Sequence, residues 1–145
     1  MQLYLNKYLR ELGINEESWP FKDIYENLVL RSQHKKYDRN YVIDDKGFVK
    51  AEAYDLFMVL AMINYSYLKY FRDDCEHISI PVSFCDSNGK CDVDGWLSTL
   101  DKMINAFKLI IEDNFSTLIE EEQKRIDAIH EGLDLYSKYF LDLWI

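Results

Sequence analysis

Very little in this chain interrupts a helix. Of its 145 residues two are Pro (Pro20, Pro81) and five are Gly, which leaves room for long uninterrupted helices. No apolar run approaches the length needed to cross a bilayer; the longest, Leu56 to Ile63, falls far short. No signal peptide is expected either, because Leu3, Leu5 and Leu9 are interrupted by Asn6, Lys7, Arg10 and Glu11. Only three Cys are present, and in a chain without a secretory leader they are expected as reduced thiols in a cytoplasm. A phosphate-binding Gly-rich loop, Gly-x-Ser-x-Gly and His-Glu-x-x-His are all missing, and three His offer few general bases.

What the chain has in quantity is apolar, aromatic and acidic. Hydrophobic residues make up 48% of it, which excludes intrinsic disorder and suffices for a core. Eleven Tyr, eight Phe and three Trp supply large buried areas with polar tips suited to interfaces. The net charge of −9 is unevenly placed: residues 1–40 hold seven basic and six acidic side chains, residues 94–145 five and eleven. Nucleic acid is therefore a poor direct partner for the chain as a whole, since phosphate binding needs clustered Lys and Arg. A basic protein surface is a better one.

The periodicity predicts an all-α helical bundle of four to five helices in one domain, residues 1–145, with 51–145 as its core and 1–40 as an N-terminal part. A short helix over 2–12 stops at Gly13. A second starts at Phe21 and ends in the basic cluster Arg31, His34, Lys35, Lys36 and Arg39, beside Tyr37 and Tyr41. That cluster reads either as a nucleic-acid contact or as a helix C-terminus complementing its own dipole. Asp44-Asp45-Lys46-Gly47 marks a turn, the tip of a short hairpin candidate around 41–50. The main helices fall at 51–71, 94–112 and 117–143. The first has so broad an apolar stripe, with Leu60, Ile63 and Tyr67 added, that burial on more than one side is expected. Asp94 is the N-cap candidate for the next, and Thr117 with Glu120 fits a capping box for the last. Gly132 in mid-helix points to a close helix crossing.

Candidate chemistry is sparse. Cys75, His77, Cys85 and Cys91 are zinc candidates by residue type, but they lack paired Cys-x-x-Cys knuckles, so no metal and no cofactor is expected. Asp86-Ser-Asn-Gly-Lys-Cys-Asp-Val-Asp departs from a calcium loop, with Lys90 at a ligand position, and reads as a turn. Arg125-x-x-x-x-His130 resembles the Arg and His pair of the helical HEPN ribonucleases, which implies an RNA-cleaving alternative. Its acidic neighbours Glu122, Asp127 and Glu131 favour instead an Arg and a His on a solvated helix face.

The order Ala53-Tyr54-Asp55-Leu56, Ile80-Pro81, Trp96-x-x-x-Leu100-Asp101-x-Met103-Ile104-x-Ala106-Phe107, then Glu131-Gly132-Leu133-x-Leu135-Tyr136-x-Lys138-Tyr139-Phe140-x-x-Leu143-Trp144, resembles a widespread family of small acidic bacteriophage proteins. It covers residues 50–145. Tyr136 stands where that family usually has Phe, and Ile145 where it often has an acidic residue. The resemblance implies a phage-encoded protein acting in the bacterial host cytoplasm, with no established family activity. The motif residues are mostly apolar at helical spacing, so they specify a fold.

These observations together give an expected function: a non-enzymatic binding protein, anti-CRISPR-like, that inhibits a host defence effector by offering acidic surface to a basic nucleic-acid channel. The expected contact residues are Glu112, Asp113, Glu120, Glu121, Glu122, Asp127 and Glu131. The alternative is an accessory phage protein that assembles, as a homo-oligomer or with other components, through exposed aromatics such as Tyr4, Tyr8, Trp19 and Tyr70. No membrane partner is expected.

Overall fold

A computed structural model of the chain describes residues 4–75, 77–112 and 118–144. Among them the fold is all-α, as expected, with five α-helices and no strand: α1 (Lys7–Glu11), α2 (Phe21–Ser32), α3 (Leu56–Asp73), α4 (Val93–Glu112) and α5 (Ile119–Tyr139). No helix among the described residues is long and apolar enough to cross a membrane. The chain divides into two compact units, Met1–Ile63 and Asn64–Ile145, and the sequence of α3 runs across the division.

In the first unit, side chains and turns set the helix ends. Asn6 caps α1 by accepting from the Tyr8 and Leu9 amides, so the helix begins later than the expected residue 2. It stops at Gly13, which adopts φ +84° while its amide bonds the Arg10 carbonyl and the Ile14 amide bonds the Leu9 carbonyl. This is the Schellman closure that glycine favours. The C-terminus of α2 closes the same way, His34 N–H to Arg31 C=O and Lys35 N–H to Leu30 C=O, but with His34 at φ +55°. A side chain in the left-handed region is strained, so His34→Gly is expected to stabilise the protein by about 0.5–1 kcal/mol. Chemical denaturation would register this as a higher midpoint at unchanged slope. Phe21, Ile24, Val49 and Ala51 are buried, with Tyr41 packed on the last three.

The expected hairpin at 41–50 is a single antiparallel bridge, Ile43 with Val49, closed by an Asp-Gly loop. The Asp44 Oδ1 accepts from the amides of Phe48 and Lys46, and Gly47 N–H donates to the Asp44 carbonyl with Gly47 at φ +87°. The amide bonds from Phe48 above all hold the Asp44 carboxyl below its ordinary range. Residues 85–91 repeat the device: Cys85 bridges Cys91, Asp86 Oδ1 accepts from the Asn88 and Lys90 amides, and Gly89 N–H donates to the Asp86 carbonyl at φ +78°. Each loop follows a short 3-10 turn, Arg39–Tyr41 or Val82–Phe84. The Asp86 carboxylate is thus occupied with its own loop's backbone, as a turn requires.

Asp92, not Asp94, caps α4. Its carbonyl already accepts from the Trp96 amide, and its Oδ1 accepts the Gly95 N–H at 2.9 Å. Asp94 lies one residue inside the helix, in the first turn. Gly95 makes room for the cap, because a Cβ there would collide with the Asp92 carboxylate. Asp92→Ala is expected to cost about 1 kcal/mol, and Asp94→Ala only a few tenths, about what a charge near the helix dipole contributes; thermal unfolding of the two variants separates them. At α5 the cap position is Leu118, without a side-chain bond. The expected Thr117 cap lies outside the described residues.

Within the second unit α4 and α5 pack together at Gly132. A Cβ on Gly132 would lie 2.5 Å from the Lys102 carbonyl oxygen and collide with Ala106 Cβ, so the sequence's sign of a close crossing holds. Trp96, Leu100 and Met103 are completely buried along α4. Phe84, Trp96 and Tyr139 form a triangle of rings with centroids 5.4 to 5.6 Å apart. The segment of α3 in this unit is tied to both neighbours, through Arg72 to Asp101 of α4 and through Asn64 to Tyr136 of α5. The broad α3 stripe is not buried all round: Leu60 stays 41% and Tyr67 69% exposed.

Candidate functional site

Two surfaces of the second unit carry features beyond packing. The first is the outward side of α5. At about 100° per residue, Glu120, Asp127 and Glu131 fall within about 40° of one another around the axis, and all three are exposed. Glu131 pairs with Lys102 Nζ across from α4, and Asp127 accepts a 2.8 Å bond from Gln123, so both carboxylates are oriented. Exposed Lys124 and Lys138 lie on the same side. The remaining expected contact residues lie elsewhere. Glu121 is exposed about a quarter-turn away. Glu122 is half-buried and pairs with Arg125 at 2.9 Å, and Glu112 ends α4 beside Lys108. Asp113 lies outside the described residues. Of the seven expected contact residues only Glu120, Asp127 and Glu131 share this stripe, and exposed Asp134 falls beside Asp127 on it; the acidic surface is not one seven-residue face.

The second is an apolar groove of about 330 Å³ lined by Asn64, Tyr67, Tyr70, Cys75, Tyr136 and Trp144, among others. The Gly132 crossing positions its wall. One turn further along α5, Tyr136 stands edge-on to Phe107 and Phe140, centroids 5.2 and 5.6 Å away, and its hydroxyl donates to Asn64 Oδ1 at 2.7 Å. Burial pushes the Tyr136 phenol up from its ordinary range, so it stays a neutral donor. The rim is bare: Tyr67, Tyr70 and Trp144 are each more than half exposed, as is Phe140 beside Tyr136. Ser79 N–H donates to the Trp144 carbonyl and holds the terminal segment in place.

Sequence reasoning named Tyr70 for this kind of surface but missed Tyr67, Phe140 and Trp144. The available signal was the exposed flank of the α3 stripe, which the stripe's width disguised as core. Of the other aromatics expected at an assembly surface, Tyr4 is exposed, but Trp19 is half-buried and Tyr8 is 6% exposed. Tyr8 falls on the inward side of α1 together with Leu9.

The Arg125 and His130 pair is split by its surroundings. Arg125 is half-buried, with Nη1 on Glu122 and Nη2 on the Leu109 carbonyl at 3.2 Å. This corrects the expectation of a solvated Arg: it ties α5 to the last turns of α4. His130 is exposed, about 140° round the helix from Arg125.

The cysteines also differ from expectation. Cys85 and Cys91 are joined in a disulfide, because the Asp86 loop makes them bridge partners, and Cys75 alone is a free thiol. Two of the four zinc candidates are thereby bonded to each other. Among the described residues, no group of three or more His, Cys, Asp or Glu is placed to hold a metal.

No family model matches the chain, and neither a curated protein nor a solved structure matches it.

Proposed function

We propose that this is a phage-encoded, non-enzymatic binding protein that inhibits a bacterial defence effector, in the manner of an anti-CRISPR protein, by laying an acidic surface against the effector's basic nucleic-acid channel. The observation that carries the reading is the α5 stripe, Glu120, Asp127 and Glu131, exposed on one side of the helix with Glu131 held by Lys102. Oriented carboxylates on a rigid helix suit charge-led docking, which accelerates encounter and fails at high salt. The overall charge of −9 and the resemblance to small acidic phage proteins agree with it.

The test is an affinity pull-down from the bacterial host, washed at low and at high salt, using the tagged wild type and the triple variant Glu120→Lys, Asp127→Lys, Glu131→Lys. A defence effector retained at low salt, lost at high salt and lost with the triple variant is the expected result. Retention that ignores both salt and charge reversal would sink the reading.

The aromatic rim favours one other reading, an accessory phage protein that assembles through Tyr67, Tyr70, Phe140 and Trp144. That version expects the mass by analytical ultracentrifugation to rise with concentration, and Trp144→Ala to stop the rise. A monomer at every concentration removes self-assembly.

A further inference from the structure

We propose that residues 31–39 form a binding surface for single-stranded nucleic acid, independent of the α5 reading above. Among the described residues seven of the seventeen Lys and Arg side chains are paired with a carboxylate: Arg10, Lys22, Lys69, Arg72, Lys102, Lys108 and Arg125. Arg31, Lys35, Lys36 and Arg39 are not; among the described residues these four exposed cations, set within nine positions, have no ion-pair partner. The nearby Asp38 carboxylate is engaged by the Asn40 amide.

Helix-dipole compensation does not account for the cluster. The α2 helix ends at Ser32, and its last carbonyls are satisfied by the His34 and Lys35 amides. Only Arg31 lies in the last turn, and the dipole's influence does not extend past it. The path beyond the helix is nevertheless fixed. Buried Asn27 donates to the Asp23 carbonyl and accepts the Asp38 N–H at 2.5 Å, so the cations sit on an ordered segment.

Two features select a nucleic-acid strand over an acidic protein. Tyr37 stands between Lys36 and Arg39, and all three line one open cleft of about 500 Å³ with Leu30 and Asp38. An aromatic ring beside cations matches an unstacked base and its phosphates. An acidic side chain would use the cations and leave the ring idle. The nearest carboxylates are Asp38 in the cleft and Asp44 and Asp45, which line a second cavity with Arg31, Tyr37 and Arg39; the four cations outnumber these three, and repulsion from carboxylates farther off is screened over about 8 Å at physiological salt.

The experiment is fluorescence anisotropy of the full chain with labelled 20-nucleotide oligouridylate and oligothymidylate. With about four phosphates neutralised, the log–log salt slope is expected near −3, so Kd rises about 50-fold between 50 and 200 mM salt. Lys36→Glu with Arg39→Glu is expected to abolish binding. Tyr37→Leu, which keeps an apolar side chain in place, should weaken it about fivefold or more through lost stacking, with circular dichroism showing each variant folded. Binding to either strand supports the proposal. It is overturned by no binding at 50 mM salt, by binding unchanged in the Lys36/Arg39 variant, by equal competition from polyglutamate, or by a preference for duplex.

Discussion

Gly132→Ala is expected to destabilise the protein although it replaces the poorer helix former with the best. In an open helix the change would gain about 1 kcal/mol. Here the new methyl has no room: it would sit 2.5 Å from the Lys102 carbonyl oxygen and collide with Ala106 Cβ. Ala106 is fully buried and the carbonyl belongs to the α4 backbone, so neither can swing aside as a flexible side chain would. The two helices must part, and overpacking of this kind costs about 1–3 kcal/mol and sometimes more. The net loss is expected at up to about 2 kcal/mol for Ala, and larger for Leu. Parting the helices would also move Tyr136, one turn away, so its bond to Asn64 should weaken. Adding Ala106→Gly relieves only the methyl clash, and rescue should be partial because the carbonyl remains. Urea unfolding of the three variants decides it. A Gly132→Ala protein more stable than wild type would mean that the crossing is looser than described.

Gly132 also shows what could be read from the sequence. A glycine in the middle of a strong amphipathic pattern has few explanations, and close packing is the main one. The α4 and α5 helices were legible for the same reason, since their apolar residues recur at helical spacing with few competing signals. Gly13 was legible because a positive φ after a helix selects glycine; His34 hides an equivalent position behind an ordinary side chain. The α4 cap was misread by two residues. Asp92 and Asp94 have the same chemistry, and only the path of the Asp86 loop decides which one faces the free amides. That loop hid more: residues 43–49 and 85–91 share little sequence beyond Asp and Gly three apart, yet they make the same hydrogen bonds. The Cys85–Cys91 pairing follows from that loop, and spacing alone does not reveal it. The groove was the least legible feature, because it depends on which flank of α3 the neighbouring helices leave uncovered.

Trp96→Ala is expected to have the largest effect of any single substitution considered. Trp96 is completely buried near the start of α4, and its ring contacts Phe84 from the loop before the helix and Tyr139 from the end of α5. Three chain segments distant in sequence therefore converge on one side chain. Removing a buried Trp costs about 3–5 kcal/mol, a large share of the roughly 5–15 kcal/mol that holds a typical domain together. Part of that loss is the edge-to-face geometry, since aromatic pairs add about 0.5–1.5 kcal/mol beyond their buried area. The indole N–H, however, works against the fold: it is buried with no hydrogen-bond partner among the described residues, and such a donor costs about 1–3 kcal/mol to bury. Trp96→Phe gives up some volume but also removes that unpaired donor. The two variants should therefore differ sharply, with Phe losing no more than about 1–2 kcal/mol and Ala about 3–5 kcal/mol. Near-ultraviolet circular dichroism with thermal unfolding measures both. If Trp96→Phe proved as damaging as Trp96→Ala, the indole N–H would have to be engaged after all, and the triangle would owe its stability to a polar bond and not to ring packing.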